Sequence, residues 1–334
     1  MDDKNLTIGD IAGELGVSKT TISRAISGKG RISEKTRQRV LSYIEEHHYR
    51  PNVVARGLAQ NKTFNLGVVL PGDYNVVELP FFQKCMLGIS RVASARGYDV
   101  LLSMVTAQNT KQLRRAVRNH KIDGAILTRT LAKDESMNYL LENGVPFVAI
   151  GSADDERVVQ IDNDHRSACR ELTERLLQSG IRKLALIGSD ESHIVTQNRR
   201  RGFEDAFEEK RDWKGSRQIF RNVREDREVK EIVEGLLADG TECIVSMDDF
   251  LCGCVLNALQ MRNIAVPEQM QVASFYDSTI LENRSPSVTS IRFNVEELGQ
   301  KACETLLAML EGEDVEPRTL LGYEVRMRNS TKRI

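Results

Sequence analysis

Tryptophan occurs once in 334 residues, and aromatic residues of all kinds make up 5%. No apolar run reaches the length of a membrane-spanning helix, which excludes a helical membrane protein. A signal peptide is also missing: Met1-Asp2-Asp3-Lys4 is acidic and no apolar stretch follows it, so the expected compartment is the cytoplasm. The six cysteines are scattered, and only Cys252 and Cys254 are close. Two residues apart in a helical pattern, they point in different directions, so reduced core thiols are expected rather than a disulfide or a metal framework. No G-x-S-x-G elbow, P-loop or paired-glycine dinucleotide fingerprint falls at a strand-helix junction. These absences argue against an enzyme, a cofactor and a metal.

Net charge is nearly absent too, at −1, but it is unevenly distributed. Residues 1–62 hold eleven Lys or Arg against seven acids, +4, which leaves −5 for the rest. A basic head on an acidic body implies that only the head meets a polyanion. The length predicts two or three compact units, and 40% apolar residues suffice for sizeable cores.

In the head, Ile8, Ile11, Ala12 and Leu15 fall on one helical face, and Gly16-Val17 breaks the pattern. Ser18 can cap a second helix that buries Ile22, Ala25 and Ile26 and ends at Gly28-Lys29-Gly30. Ser33 caps a third, which runs to about His48 and buries Val40, Leu41 and Ile44. Three short helices with a tight turn between the first two form a helix-turn-helix. Its second helix buries one face and offers the other to a major groove, where Lys19, Thr20 and Arg24 fall. Arg can grip guanine O6 and N7 with two hydrogen bonds. Ser18, Thr21, Ser23, Ser33 and Thr36 are short donors suited to phosphate oxygens. Arg50-Pro51 stops the third helix. Residues 52–59, with Asn52 as cap and Gly57 as a weak point, can form two helical turns on DNA or remain a plain linker. Leu58 is placed to wedge into a minor groove.

The head resembles that of the lactose-repressor/galactose-repressor (LacI/GalR) family of bacterial transcription regulators. The residues that carry the resemblance are Thr7-Ile8-Gly9-Asp10-Ile11-Ala12, Gly16-Val17-Ser18, Thr21-Ile22-Ser23-Arg24, Pro51-Asn52 and Ala55-Arg56-Gly57-Leu58. The resemblance implies that Lys19, Thr20 and Arg24 read bases and that Ala55 and Leu58 enter the minor groove at the operator centre. It adds Thr7, Ser27, Arg31 and Asn52 to the residues expected on the DNA backbone. Ser27 departs from the family, which usually has Asn there.

After Lys62, apolar strands alternate with amphipathic helices. Strands are predicted at Asn65–Pro71, Asp99–Met104, Gly124–Thr128, Pro146–Gly151, Lys183–Gly188, Glu242–Met247 and Gln271–Phe275. Helices are predicted between them, among them Pro80–Arg96, Asp164–Gln178, Arg200–Lys210 and Asp249–Arg262. The alternation predicts two successive doubly wound parallel sheets, with a cleft at the carboxyl ends of their strands. By resemblance this body is a periplasmic-binding-protein-like (type I) core of two such subdomains behind the all-α helix-turn-helix domain. The expected division is a head at 1–50, a hinge at 51–63 and a core at 64–334. Within the core, the N-subdomain takes 64–162 plus 291–318 and the C-subdomain takes 163–290 plus 319–330.

The resemblance makes Arg199 and Asp277 candidate effector contacts, a donor and an acceptor that suit a polyol. For Asp277 a cap after a strand remains open, and for Arg199 a solvated charged run. Phe81 or Phe82 can wall the cleft or belong to the core. Where the family often has an Asn before an acidic pair, this chain has Met247-Asp248-Asp249, and residues 220–229 are heavily charged. Both departures weigh against a sugar and leave open a sugar-like effector, an anionic one, or no small effector at all. Asp162-Asn163-Asp164-His165 resembles a metal site, but its place between a strand and a helix reads as capping and chain crossover. The expected protein is a homodimeric, sequence-specific repressor of a near-palindromic double-stranded DNA operator, tuned by a small molecule, with no membrane partner. A solute-binding protein or a sugar-metabolising enzyme on the same core are the rival readings.

Overall fold

The computed structural model describes residues 6–27, 30–47, 49, 57, 60–73, 80–208 and 213–332, in two compact units, residues 1–63 and 64–334. The first is helical: α1 (Ile8–Glu14), α2 (Lys19–Ser27) and α3 (Glu34–Glu46). Ile11, Ile22 and Val40, one from each helix, are fully buried, with Ala12, Ala25 and Tyr49 around them. Leu41, expected inside, is exposed, because a step of one residue beyond Val40 turns the side chain about 100° around α3. Gly16, at φ +63°, reverses the chain between α1 and α2. The Arg39 guanidinium reaches across from α3 to the Leu15 carbonyl and fixes that turn.

The second unit holds two six-stranded sheets. In the first, β1 (Asn65–Pro71), β2 (Asp99–Val105), β3 (Gly124–Leu127), β4 (Phe147–Ile150) and β5 (Val159–Asn163) are joined by β11 (Arg318–Leu321), in the order β11-β5-β4-β3-β1-β2. All its pairings are parallel. β1 is buried along almost its whole length, as a strand covered on both faces must be. The second contains β6 (Lys183–Ile187), β7 (Ser216–Phe220), β8 (Cys243–Ser246), β9 (Gln271–Ser274), β10 (Thr289–Phe293) and β12 (Tyr323–Arg326), in the order β12-β10-β9-β8-β6-β7. Only β12 runs antiparallel, against β10.

Helices α4 (Pro80–Ala95), α5 (Lys111–Arg118) and α6 (Glu135–Glu142) belong to the first half. The second half carries α7 (His165–Gln178), α8 (Ile194–Glu208), α9 (Asp226–Ala238), α10 (Asp249–Met261) and the short α11 (Thr279–Glu282). α12 (Val295–Glu311) then returns to pack on α4. That crossing is close because both helices bring a glycine to it. A Cβ on Gly88 would run into the Glu296 carbonyl, and one on Gly299 into that of Cys85.

The chain passes between the halves three times, each time through one residue outside regular structure: Asp164, Asn294 and Gly322. The divisions differ by a few residues from those expected. β10 stays with the second sheet as far as Phe293, and β11 stays with the first as far as Leu321. α8 starts at Ile194, six residues before the predicted Arg200, because Ile194-Val195-Thr196 continues the helical pattern upstream of the charged run.

Candidate functional site

On the head, α2 buries Ile22 and Ala25 and leaves Lys19, Thr20, Ser23 and Arg24 exposed, as does the chain at Arg31. The stem of Lys19 runs past the start of α1, with its Cε 3.3 Å from where a Cβ on Gly9 would stand. Arg24 lies against Gly30, whose φ is +92°. The hydroxyls expected on phosphates first serve as caps. Thr7 accepts the Asp10 amide at 3.3 Å while the Asp10 carboxylate accepts the Thr7 amide at 2.9 Å. Ser18 accepts from the Thr21 amide and Ser33 from the Thr36 amide, each at 3.1 Å. Each cap fixes one helix start and holds its hydroxyl in place; the O–H that a phosphate oxygen would accept is given by Thr7 to the Asp10 carboxylate at 2.7 Å and shared by Ser18 and Ser33 with the Thr21 and Thr36 hydroxyls at 2.9 and 2.7 Å. The Ser27 side chain, Asn52, Ala55 and Leu58 lie outside the described residues.

In the core, a cavity of about 150 Å³ lies between the two halves, at the carboxyl ends of the strands. Phe81, at the start of α4, forms one wall. Its ring is 5.1 Å from Phe82 and 6.4 Å from Tyr276, edge-on to both. Arg199 projects inward from α8 and is only 8% exposed. Its Nη1 donates to the Met247 carbonyl at 2.8 Å, and its guanidinium carbon stands 5.7 Å from the centre of the Tyr276 ring. Its Nε donates to Nδ1 of His165 at 3.4 Å, which leaves the ring proton on Nε2, 3.5 Å from Asp162 Oδ1. Asp162 also accepts the Ser152 hydroxyl and the Asn163 amide, both at 2.8 Å.

Burial pushes the Asp162 carboxyl up to about 6, against the pull of these donors and of Arg199. Burial, then Arg199, holds His165 well below its ordinary value, so the ring is neutral. Opposite, Arg129 follows β3 and grips both oxygens of Asp73, at 2.9 and 3.0 Å. Burial, and then Arg129, depress His193 to about 4. A backbone seam joins the halves here: the Ala132 amide donates to the Ser192 carbonyl at 2.9 Å and the Ile194 amide to the Thr130 carbonyl at 3.2 Å.

Two family models match the chain. Residues 7–52 match "Bacterial regulatory proteins, lacI family", and residues 173–331 match a periplasmic binding protein-like domain. The chain thus carries a LacI-family DNA-binding head and a periplasmic binding protein-like core. Catabolite control protein A of Staphylococcus xylosus is 26% identical over 98% of this chain and 99% of its own. A transcriptional regulator, CelR, solved as a cellobiose complex, is 26% identical with a TM-score of 0.71, covering 97% of this chain and 99% of that one. The lac repressor dimer bound to operator and an anti-inducer shares the fold, with a TM-score of 0.78 at 22% identity over 98% and 99% of the two chains. By these matches the chain is a DNA-binding transcription regulator and not an enzyme.

The structure sorts the regulator's expected cleft residues. Phe81 and Arg199 line the cavity, and so does Phe82. Asp277 does not. It takes Nη1 and Nη2 of Arg328 on its two oxygens, at 2.8 Å each, and the Ser290 hydroxyl at 2.8 Å. Asp162 lines the cavity with Arg199, and the charge of Arg199 also reaches the buried Asp248 and Asp249. In the stretch Asp162-Asn163-Asp164-His165, Asp164 does cap α7, through the Ser167 amide at 3.1 Å, but Asp162 and His165 turn into the cleft. Among the described residues, no group of His, Cys, Asp and Glu is arranged to hold a metal ion. Sequence reasoning missed Arg129, Asp162, His165 and Tyr276. The signal was position: Arg129, Asp162 and Tyr276 each stand at, or within two residues of, the carboxyl end of a strand, where ligands of doubly wound folds bind. No helix among the described residues is long and apolar enough to cross a membrane.

Proposed function

We propose that this chain is a cytoplasmic repressor that binds a near-palindromic operator as a homodimer and is tuned by a small metabolite in the core cleft. The observation that carries the reading is the exposed row of Lys19, Thr20 and Arg24 on a helix whose other face is locked by Ile22 and Ala25. These three side chains read base edges in the major groove. Thr7, Ser18, Thr21, Ser23, Ser27, Arg31, Ser33, Thr36 and Asn52 hold the backbone, and Ala55 and Leu58 in the hinge at 51–63 open the minor groove at the centre. Phe250 on α10 and Ile280 on α11 are more than half exposed and give a second copy an apolar surface to cover. The metabolite, sugar-like or anionic, contacts Phe81 from one half and Arg199 from the other. It acts through its differential affinity for two arrangements of those halves.

The test is selection of bound duplexes from a random library by the full-length protein near physiological salt, followed by sequencing. A near-palindrome with a pyrimidine-purine step at its centre is the expected product. Recovery of unenriched sequence, with and without metabolite pools, would overturn the reading.

A further inference from the structure

The cleft has apolar walls and a cationic end, and this composition names a ligand class. The reasoning rests on the effector reading above. Phe81, Phe82, Ile150, Val195, Tyr276 and Leu298 supply the walls. Arg199 and Arg129, the latter held in place by Asp73, supply the charge. Ionised acceptors are few beside the Thr130 and Tyr276 hydroxyls and the neutral His193 ring. Asp162 is the only carboxylate lining the cavity among the described residues, and its oxygens already meet the Ser152 hydroxyl, the Asn163 amide and the His165 ring. The Thr128 hydroxyl is turned away, onto the Val69 carbonyl. The hydrogen bonds of Arg199 run from Nε and Nη1, which leaves its Nη2 edge for a ligand.

A polyol donates and accepts at most of its hydroxyls, and each donor left facing carbon is costly. A carboxylate brings acceptors alone, and guanidinium groups match it. Volume sets the rest. A cavity of roughly 150 Å³ lined by Leu, Ile and Phe takes up benzene, and this one measures about 150 Å³. We propose that the effector is a small carboxylate on a planar apolar body, of the aromatic-acid class, with its carboxylate at Arg199 and Arg129 and its ring between Phe81 and Tyr276.

The full-length protein is titrated calorimetrically with sodium benzoate, with benzamide as its neutral isostere, and with cellobiose. Benzoate is expected to bind saturably and benzamide at least about tenfold more weakly, the order expected for a lost charged hydrogen bond. Cellobiose is expected to give no binding heat. Arg199→Gln should weaken benzoate by a similar factor. Because Arg199 also holds Met247 and His165 inside the protein, Leu298→Phe, which fills the cavity from the other half, serves as the second variant. Benzoate binding unchanged in both variants would place the ligand elsewhere and overturn the proposal. Cellobiose binding that Leu298→Phe abolishes, without benzoate binding, overturns the carboxylate class and leaves the effector cleft standing. If nothing binds at millimolar concentration, and a metabolite extract leaves operator affinity unchanged, the proposal and the effector reading fall together.

Discussion

Replacing Asp277 by Asn is expected to lower stability and leave the response to the effector intact. The carboxylate and the Arg328 guanidinium form two parallel 2.8 Å contacts, with side chains 4% and 11% exposed. Arg328 also donates to the Val288 carbonyl and the Ser290 hydroxyl, so the pair ties residues after β12 to β10 and to the loop behind β9. The amide would keep one acceptor but turn an NH₂ toward the guanidinium, leaving that charge with Glu282 at 3.6 Å. Breaking a buried pair by removing one partner costs about 3–5 kcal/mol, and Glu282 places this case near the lower figure. For a unit of this size that is a fall in melting temperature of roughly 6–12 °C. Calorimetric melts at pH 7 read it directly.

The pH dependence has a definite sign. Burial works against the Asp277 carboxylate, but hydrogen bonds from Arg328 and Ser290 outweigh it and hold its pKa below the usual carboxylate range. Its contribution is therefore full above that range and lost as pH falls through the folded-state pKa, so wild type and variant should converge in acid. A variant that melts like the wild type but no longer responds to the effector would show that Asp277 contacts ligand and would refute this account of the pair.

Arg24→Ala should cost about 1–3 kcal/mol, roughly 5–150-fold, on the selected operator and much less on an operator altered at the contacted base. Its melting temperature should not change, because the side chain is exposed. Equal losses on both duplexes in competition binding would make Arg24 a phosphate contact. Gly30→Ala forces a side chain into φ +92°, with its Cβ 3.1 Å from Arg24 Cδ, and should cost the head about 1–3 kcal/mol and weaken operator binding. Gly13→Ala, with open space around the new Cβ, should stabilise α1 by up to about 1 kcal/mol, and paired melts of the two variants separate strain from the mere loss of a glycine. Asp162, faced by Ser152, His165 and Arg199, is raised from 3.8 to about 6, which represents on the order of 3 kcal/mol. A raised carboxyl favours folding below about pH 4, and that contribution is lost as pH climbs to 6. The difference in melting temperature between wild type and Asp162→Asn should therefore change across pH 4–6 and be flat above it.

The head was legible because its signals are local. Ser18 and Ser33 sit where a helix start needs an acceptor, and Ile11, Ile22 and Val40 recur at helical spacing, so caps and core followed from short stretches. The central strands were legible because a strand covered on both faces is an unbroken apolar run, as at β1 and β8. Of the edge strands β2 was read, while β7, β11 and β12 were not, and the interior β5 and β10 also went unread. β7 is half exposed and charged, and β11 and β12 alternate exposed with partly buried residues, so no apolar run marks them. The cleft was half legible. Arg199 stood out by charge, but the carboxylate that lines the cavity with it depended on which strand ends converge. Asp277 and Asp162 both follow apolar strand residues and look alike in sequence. What separates them is Arg328, 51 residues beyond Asp277, and distant pairing of that kind leaves no local trace.

The same topology bounds how much an effector can do. Each passage between the halves uses a single residue, and two of the three, Asp164 and Asn294, also cap the helices that follow, through the Ser167 and Glu297 amides. The halves can therefore turn against each other as bodies only about three short, stiff joints. Against that motion stand the two backbone hydrogen bonds of the seam at residues 130–132 and 192–194, worth together about 1–3 kcal/mol. A tenfold change in operator affinity needs only about 1.4 kcal/mol of differential ligand binding. The two quantities are of the same size, so one charged hydrogen bond from a ligand on Arg199 in the second half to Arg129 in the first is enough to decide between the two arrangements. A ligand that touched only one half would bind both arrangements equally and shift nothing, however tightly it bound.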